Sequence, residues 1–137
     1  MKLIFAVILL SLVQVPVKDA HFVELKGQRF HVSLAQTPHE WARGLMFRER
    51  LGESEGMLFI GDREKPQIFW MKNTPVSLDI IFISKDWRVV DIQENTKPFS
   101  EEPLPSKKKA MHVLEIKAGR SKAIGLKEGD RVLWIKP

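Results

Sequence analysis

The segment LDIIFI, residues 78–83, is the feature of this sequence that most constrains its fold. It is apolar at both sets of alternating positions, with Asp79 as the exception, so a strand formed here needs apolar cover on both faces. The segment therefore predicts a central strand of a sheet.

Other short segments alternate apolar and polar residues and are separated by turn residues. HFVELKGQRFHVSLA, residues 21–35, predicts a half-buried hairpin that turns near Gly27. GMLFI, RVVDI, HVLEI and RVLWI predict further strands.

Two helices interrupt the strands. Thr37 and Glu40 have the spacing of a capping box, and Pro38 occupies the first helical position. AGRSKAIGL allows one further helical turn that ends at Gly125.

Residues 95–110, rich in Pro, Lys and Glu, predict a long surface loop. With about seven strands and two short helices, we expect a mainly β fold, either a β-sandwich or an irregular barrel.

The first twenty residues, MKLIFAVILLSLVQVPVKDA, resemble a secretory signal peptide. A positive start at Lys2 precedes an apolar stretch that is too short for a permanent bilayer span, which needs about 20 residues. We expect a signal peptide over residues 1–20, a single domain over 21–137, and export to the periplasm or outside the cell. Because Lys18 departs from the usual cleavage pattern, an uncleaved leader is the one route by which we expect membrane attachment.

Composition excludes several classes of site. The chain has no cysteine, so disulfides, thiol nucleophiles and Cys-based zinc sites are absent. The net charge is +5, and +4 remains once Lys2, Lys18 and Asp19 leave with the leader, which favours anionic partners. Nucleic acid is not an expected partner of an exported domain, and we read residues 107–109, all lysine, as a solvated loop.

No catalytic or cofactor motif is present. The four histidines lie on different elements at no metal-ligand spacing, so we expect no metal site. A Gly-x-Ser-x-Gly elbow and a phosphate-binding glycine loop are both missing, and we expect no cofactor.

The segment FWMKNT, residues 69–74, places polar residues directly against Trp and Met. We take it as the candidate ligand-binding site, formed with a helix residue and the acid of the central strand: Arg43, Trp70, Lys72, Asn73, Thr74 and Asp79. In a strand Trp70 and Lys72 share one face, so an aromatic platform and a cation would adjoin a bound anion or sugar. The alternative is a structural clasp, in which Asn73 bonds nearby backbone and Asp79 pairs with Arg43.

The motifs RGLMFRERL, GMLF, FWMKNT, LDIIFI, VLEI followed by AG, and GLKEGD occur in this order between Arg43 and Asp130. In them the chain resembles the domain of unknown function 192 family. The resemblance implies a compact, mainly β fold, and small, often exported or lipid-anchored prokaryotic proteins, but it supplies no activity. The chain departs from the family pattern at Ser77, where proline is frequent, and in the basic loop through Lys109.

Three functions follow as expectations. We favour non-catalytic binding of a small polar or anionic envelope component at FWMKNT. A small hydrolase or lyase with Asp79 as base and Lys72 or Arg43 for charge stabilisation is an alternative, although no nucleophile or histidine accompanies the motif. The third is an interaction module for another envelope protein, for which an exposed apolar patch away from FWMKNT would be the sign.

Overall fold

A computed structural model describes residues 19–137 of the chain. The predicted signal peptide falls almost entirely outside these residues. The described part forms two helices, α1 (Pro38–Arg43) and α2 (Arg120–Ala123), and nine strands: β1 (His21–Leu25), β2 (Gln28–Ala35), β3 (Glu55–Phe59), β4 (Ile68–Phe69), β5 (Leu78–Ile83), β6 (Val89–Gln93), β7 (Leu104–Pro105), β8 (His112–Lys117) and β9 (Val132–Ile135). Between residues 19 and 137, no helix has the length and apolar character that a bilayer crossing requires.

Seven strands form one curled sheet, a half-barrel, in the order β6-β5-β8-β3-β2-β1-β9. Neighbouring strands pair antiparallel except β2 and β3, which are parallel. The two-residue strands β4 and β7 form a separate pair. The predicted mainly β fold with two short helices is therefore confirmed.

The prediction for LDIIFI is also confirmed: β5 lies between β6 and β8, and all six of its residues are buried. Its side chains alternate between the two faces of the sheet. Leu78, Ile80 and Phe82 pack in one apolar cluster, which also holds Leu45 and Phe59. Ile81 and Ile83 pack in the cluster on the opposite face. Asp79 shares that opposite face because it alternates with Leu78 and Ile80.

Local sequence signals placed the first elements correctly. β1 and β2 form the predicted hairpin, with Leu25 opposite Gln28. At the start of α1, the Thr37 hydroxyl accepts a hydrogen bond from the Glu40 amide, and the Glu40 carboxylate accepts one from the Thr37 amide, each at 3.1 Å. Residues 95–110 are less loop-like than expected, because they contain β7 and bury Thr96 and Ala110.

The predicted ion pair between Asp79 and Arg43 is wrong. Asp79 is fully buried, and its Oδ1 and Oδ2 accept hydrogen bonds from the backbone amides of Asn95 (3.0 Å) and Ser121 (2.9 Å). Arg43 is exposed at the end of α1, on the other side of the sheet. Asp79 therefore joins the loop after β6 and the start of α2 to the central strand.

Gly56 shows how closely β3 approaches β8. An added Cβ would lie 2.5 Å from the Glu115 carbonyl oxygen and 3.1 Å from Ile116 Cγ2. We expect Gly56→Ala to lower the free energy of unfolding by about 1–3 kcal/mol, the usual cost of overpacking. Urea denaturation would measure this, and an unchanged midpoint would contradict the close approach of the two strands.

Candidate functional site

A pocket of about 250 Å³ lies between α1, the segment after it and the FWMKNT segment. Four of the predicted site residues line it, namely Arg43, Trp70, Lys72 and Thr74. Three wider depressions, of about 670, 630 and 490 Å³, also open on the surface of residues 19–137, but none of them is lined by a buried charged group that lacks a partner. The pocket of about 250 Å³ is therefore the better candidate site.

The FWMKNT segment makes a tight bend just after β4. Asn73 adopts a φ of 53°, a left-handed conformation that asparagine tolerates better than most residues. Its carbonyl accepts a hydrogen bond from the Phe47 amide at 2.7 Å. The Thr74 amide donates to the Met71 carbonyl and the Thr74 hydroxyl to the Lys72 carbonyl. The bend is held by backbone groups, which leaves the side chains of Trp70 and Lys72 available to the pocket.

Trp70 and Lys72 lie side by side in this bend and not on one face of a strand, because β4 ends at Phe69. The Lys72 ammonium lies 5.1 Å from the centre of a Trp70 ring, and Trp70 is 45 % exposed. Met71 between them is fully buried. The Lys72 ammonium is also 3.9 Å from a Glu101 oxygen, but both side chains are well exposed, and such pairs contribute little. Lys72 is thus a cation at the mouth that a ligand can engage.

Arg43 supplies a second cation. It is exposed, with its guanidinium 5.7 Å from the centre of the Phe47 ring. None of the salt bridges among residues 19–137 includes it. The next residue, Gly44, has a φ of 49°, and an added Cβ would be 3.4 Å from Phe59. Gly44 thus packs against Phe59, and both Arg43 and Gly44 line the pocket.

Aromatic side chains form much of the pocket wall: Trp41, Phe59, Phe69 and Trp70. Trp41 and Phe59 have ring centres 5.3 Å apart, and Phe59 and Phe69 have ring centres 5.2 Å apart, both edge to face. The Trp41 indole donates to the Ile60 carbonyl at 3.2 Å, which fixes this ring against β3. Rings that contact each other in this way give the pocket a pre-formed wall.

Glu115, which the sequence analysis did not single out, also lines the pocket. It lies on β8 opposite Met57 of β3 and Ile80 of β5, and it is only 4 % exposed. Its Oε2 has no hydrogen-bond partner. Burial without a compensating charge raises the pKa of Glu115 to about 8. The one sequence feature that could have indicated Glu115 is that it is an acid within the largely apolar segment HVLEI.

The remaining two predicted site residues lie outside the pocket lining. Asn73 is exposed at the bend, where its carbonyl rather than its side chain makes the hydrogen bond to Phe47. Asp79 is on the opposite face of the sheet and does not line the pocket that contains Lys72. The pairing of Asp79 and Lys72 that the hydrolase or lyase hypothesis requires is therefore missing from this pocket.

No histidine lines this pocket within the described part of the chain. His112 stacks on Trp87 with ring centres 4.2 Å apart, and its Nδ1 accepts a hydrogen bond from the Gly61 amide. Burial lowers the pKa of His112, which favours the neutral ring. His112 therefore has a packing role. Residues 19–137 contain no cluster of three or more His, Cys, Asp or Glu side chains suited to a metal ion.

Comparison with known proteins places this architecture in context. The sequence model of the DUF192 family, described as "Uncharacterized ACR", matches residues 21–134. No curated protein matches the chain.

Two crystal structures share the fold. A protein of unknown function from Novosphingobium aromaticivorans DSM 12444 is 42 % identical, with a TM-score of 0.78 over 85 % of this chain and 84 % of that one. A proposed transcription regulator from Sinorhizobium meliloti 1021 is 34 % identical, with a TM-score of 0.78 over 85 % of this chain and 92 % of that one.

Proposed function

The chain belongs to the DUF192 family, and from that premise we propose that it is a non-catalytic binding domain whose pocket takes a small polar or anionic ligand of the cell envelope. One observation carries the proposal: two exposed cations, Arg43 and Lys72, line the same aromatic-walled pocket as the buried Glu115. Small-molecule sites combine apolar walls with a few convergent polar groups in this way.

The proposed location rests on the N-terminal sequence, which has the pattern of an export signal. An exported domain of net charge +4 attracts anionic envelope components by long-range steering.

The distribution of exposed apolar side chains favours this proposal over an interaction module. Four of the five large hydrophobic side chains exposed in residues 19–137 belong to the pocket region: Phe47, Ile68, Trp70 and Phe99. Ile68 and Trp70 line the pocket, and the Phe47 and Phe99 amides donate to the Asn73 and Thr74 carbonyls. The apolar surface thus adjoins FWMKNT, whereas a separate docking face would lie away from it.

Thermal unfolding against a compound panel tests the proposal. The panel contains amino acids, sugars, phosphodiesters, nucleotides and cell-wall fragments. A compound present at 100 times its dissociation constant adds roughly 2.7 kcal/mol, which raises the midpoint by several degrees. We expect at least one compound to raise the midpoint of the wild type, and to raise those of Arg43→Ala and Lys72→Ala less.

Lys97→Ala is the matched control, because Lys97 is exposed and does not line the pocket. Without ligand, all three variants are expected to unfold within about 0.5 kcal/mol of the wild type, as is usual for exposed side chains. A compound that shifts the wild type and both pocket variants equally would contradict the proposal, and so would a panel without any effect.

A further inference from the structure

We infer that the ligand of this pocket is a small zwitterion, whose cationic nitrogen binds Glu115 inside the pocket and whose anionic group binds Arg43 and Lys72 at the mouth. The inference rests on the proposed function and names the chemical class of the ligand.

Glu115 lacks a partner for its buried carboxyl group. Its carboxyl group is buried, its Oε2 has no hydrogen-bond partner, and it still lines the pocket. A buried carboxylate is costly unless it is paired with a charge and hydrogen-bonded. A ligand ammonium supplies both the opposite charge and several donors.

The protein itself provides no such partner within its described residues. On the neighbouring strands, Met57 and Ile80 lie opposite Glu115, and both are apolar. The charged groups that line the same pocket are Arg43 and Lys72. None of the salt bridges among residues 19–137 joins either of them to Glu115. Among the described residues Glu115 therefore has no cationic partner, and a ligand can supply one.

The aromatic wall of the pocket also favours a cationic group. Trp41, Phe59, Phe69 and Trp70 line the space that Glu115 adjoins. The faces of such rings attract cations, and aromatic surroundings are a recurrent means of binding ammonium groups. A carboxyl group among aromatic rings favours a cationic nitrogen over a neutral hydroxyl.

The two cations at the mouth of the pocket favour an anionic group on the same ligand. Arg43 presents a planar fork of donors that matches a carboxylate or phosphate, and Lys72 adds a compact positive charge. A ligand with only a cationic group would be repelled by these two side chains. The arrangement of cations outside and an acid inside is complementary to a molecule that carries both charges.

The volume limits the size of the ligand. At about 250 Å³ the pocket is below the roughly 300–1,000 Å³ of typical small-molecule sites. It suits an amino acid or a phosphoethanolamine group. The phosphoethanolamine group has two sources, a free metabolite and a phospholipid headgroup, and the exposed Phe47, Ile68, Trp70 and Phe99 beside the pocket favour the lipid.

Calorimetry with the full chain tests the inference. The probes are glycerophosphoethanolamine and γ-aminobutyrate, whose ionic groups do not titrate between pH 6 and 8, and glycerophosphoglycerol serves as the same diester without nitrogen. We expect at least one zwitterion to bind, with release of one proton at pH 6.5 as Glu115 ionises. Its affinity should then rise about tenfold per pH unit between pH 6 and 7.5, by proton linkage.

Glu115→Gln should weaken this binding at least tenfold and abolish its pH dependence, because an amide cannot ionise. Glu102→Gln, at an exposed acid outside the pocket, is the matched control and should bind as the wild type does. If glycerophosphoglycerol bound as tightly as the zwitterions and Glu115→Gln had no effect, the inference of a zwitterionic ligand would be wrong. The pocket would then be an anion-binding site. Failure of both zwitterions would also overturn the inference, and the compound panel then decides separately whether the pocket binds anything.

Vesicles distinguish the two sources. Co-sedimentation with phosphatidylethanolamine vesicles that is lost in both Glu115→Gln and Phe99→Ser supports the lipid headgroup. Binding of free glycerophosphoethanolamine without vesicle binding supports the soluble metabolite. Vesicle binding that persists in Glu115→Gln would contradict headgroup recognition by the pocket.

Discussion

Glu115→Gln is expected to make the free protein more stable than the wild type at pH 8, while it changes stability little at pH 5. The carboxyl group is buried without a partner for Oε2, and burial raises its pKa to about 8 from an ordinary value of 4.5. Ionising it inside the fold is therefore unfavourable. Glutamine has nearly the same shape and avoids this cost.

The sign follows from the protons that each state binds. Between pH 4.5 and about 8, the folded state keeps a proton on Glu115 that the unfolded state has lost. Stability is therefore fully present below pH 4.5 and falls as pH rises toward 8, by about 1.4 kcal/mol per pH unit from this group. Over the whole interval the loss is roughly 3–5 kcal/mol.

Urea denaturation at pH 5, 6, 7 and 8, followed by tryptophan fluorescence, measures this difference. The gap between Glu115→Gln and the wild type should widen steadily with pH, because other titrating groups contribute equally to both proteins. Glu102→Gln should follow the wild type throughout. A gap that is the same at pH 5 and pH 8 would mean that Glu115 does not have a raised pKa. Residues that cost stability in the free protein are common in binding sites, where the ligand supplies the missing interaction.

Asp79→Ala is expected to destabilise the protein strongly. It removes the acceptor of two backbone amides, those of Asn95 and Ser121, from a fully buried position on β5. Hydrogen bonds to a charged group contribute about 1.5–3 kcal/mol each, and unpaired buried donors add a further cost. We expect a loss of roughly 3–5 kcal/mol in the free energy of unfolding.

Asp79→Asn separates the contribution of the hydrogen bonds to stability from that of the carboxylate charge. Asparagine keeps one acceptor oxygen, so its loss should be about half that of alanine. Asp62→Ala, at an exposed acid, is the control and should stay within about 0.5 kcal/mol of the wild type. Urea denaturation at pH 7 distinguishes these cases. If Asp79→Ala were as stable as the control, the proposed link between the central strand, the loop after β6 and α2 would be wrong.

Local signals predicted much of the fold. The two-faced apolar pattern of LDIIFI indicated a central strand, and the Thr37 and Glu40 spacing located α1. The order of the strands had no such signal. β8 inserts between β3 and β5, which both lie far from it in sequence, and β2 pairs in parallel with β3 across the connection that contains α1. Such pairings depend on how the whole sheet buries its faces, which local alternation does not specify.

The site was predictable only in part, for the same reason. The polar residues of FWMKNT stood out beside Trp70, and the pocket does contain Trp70, Lys72 and Thr74. Asp79 was grouped with them because a buried acid suggests a charged partner, whereas its actual partners are backbone amides, which no side-chain motif indicates. Glu115 was overlooked because one acid in a strand is typical of a solvent-facing position. Only the placement of β8 between two other strands buries it.

The most direct test of the account is an NMR titration of the Glu115 side-chain carboxyl carbon, with and without glycerophosphoethanolamine, assigned with Glu115→Gln. We expect a midpoint near pH 8 in the free protein, because the carboxyl group is buried and its Oε2 lacks a partner. With saturating ligand, the midpoint should fall to about pH 5.5 or below as the ammonium stabilises the carboxylate, in line with the release of one proton at pH 6.5. A midpoint near 4.5 in the free protein, or one that the ligand leaves unchanged, would contradict the account.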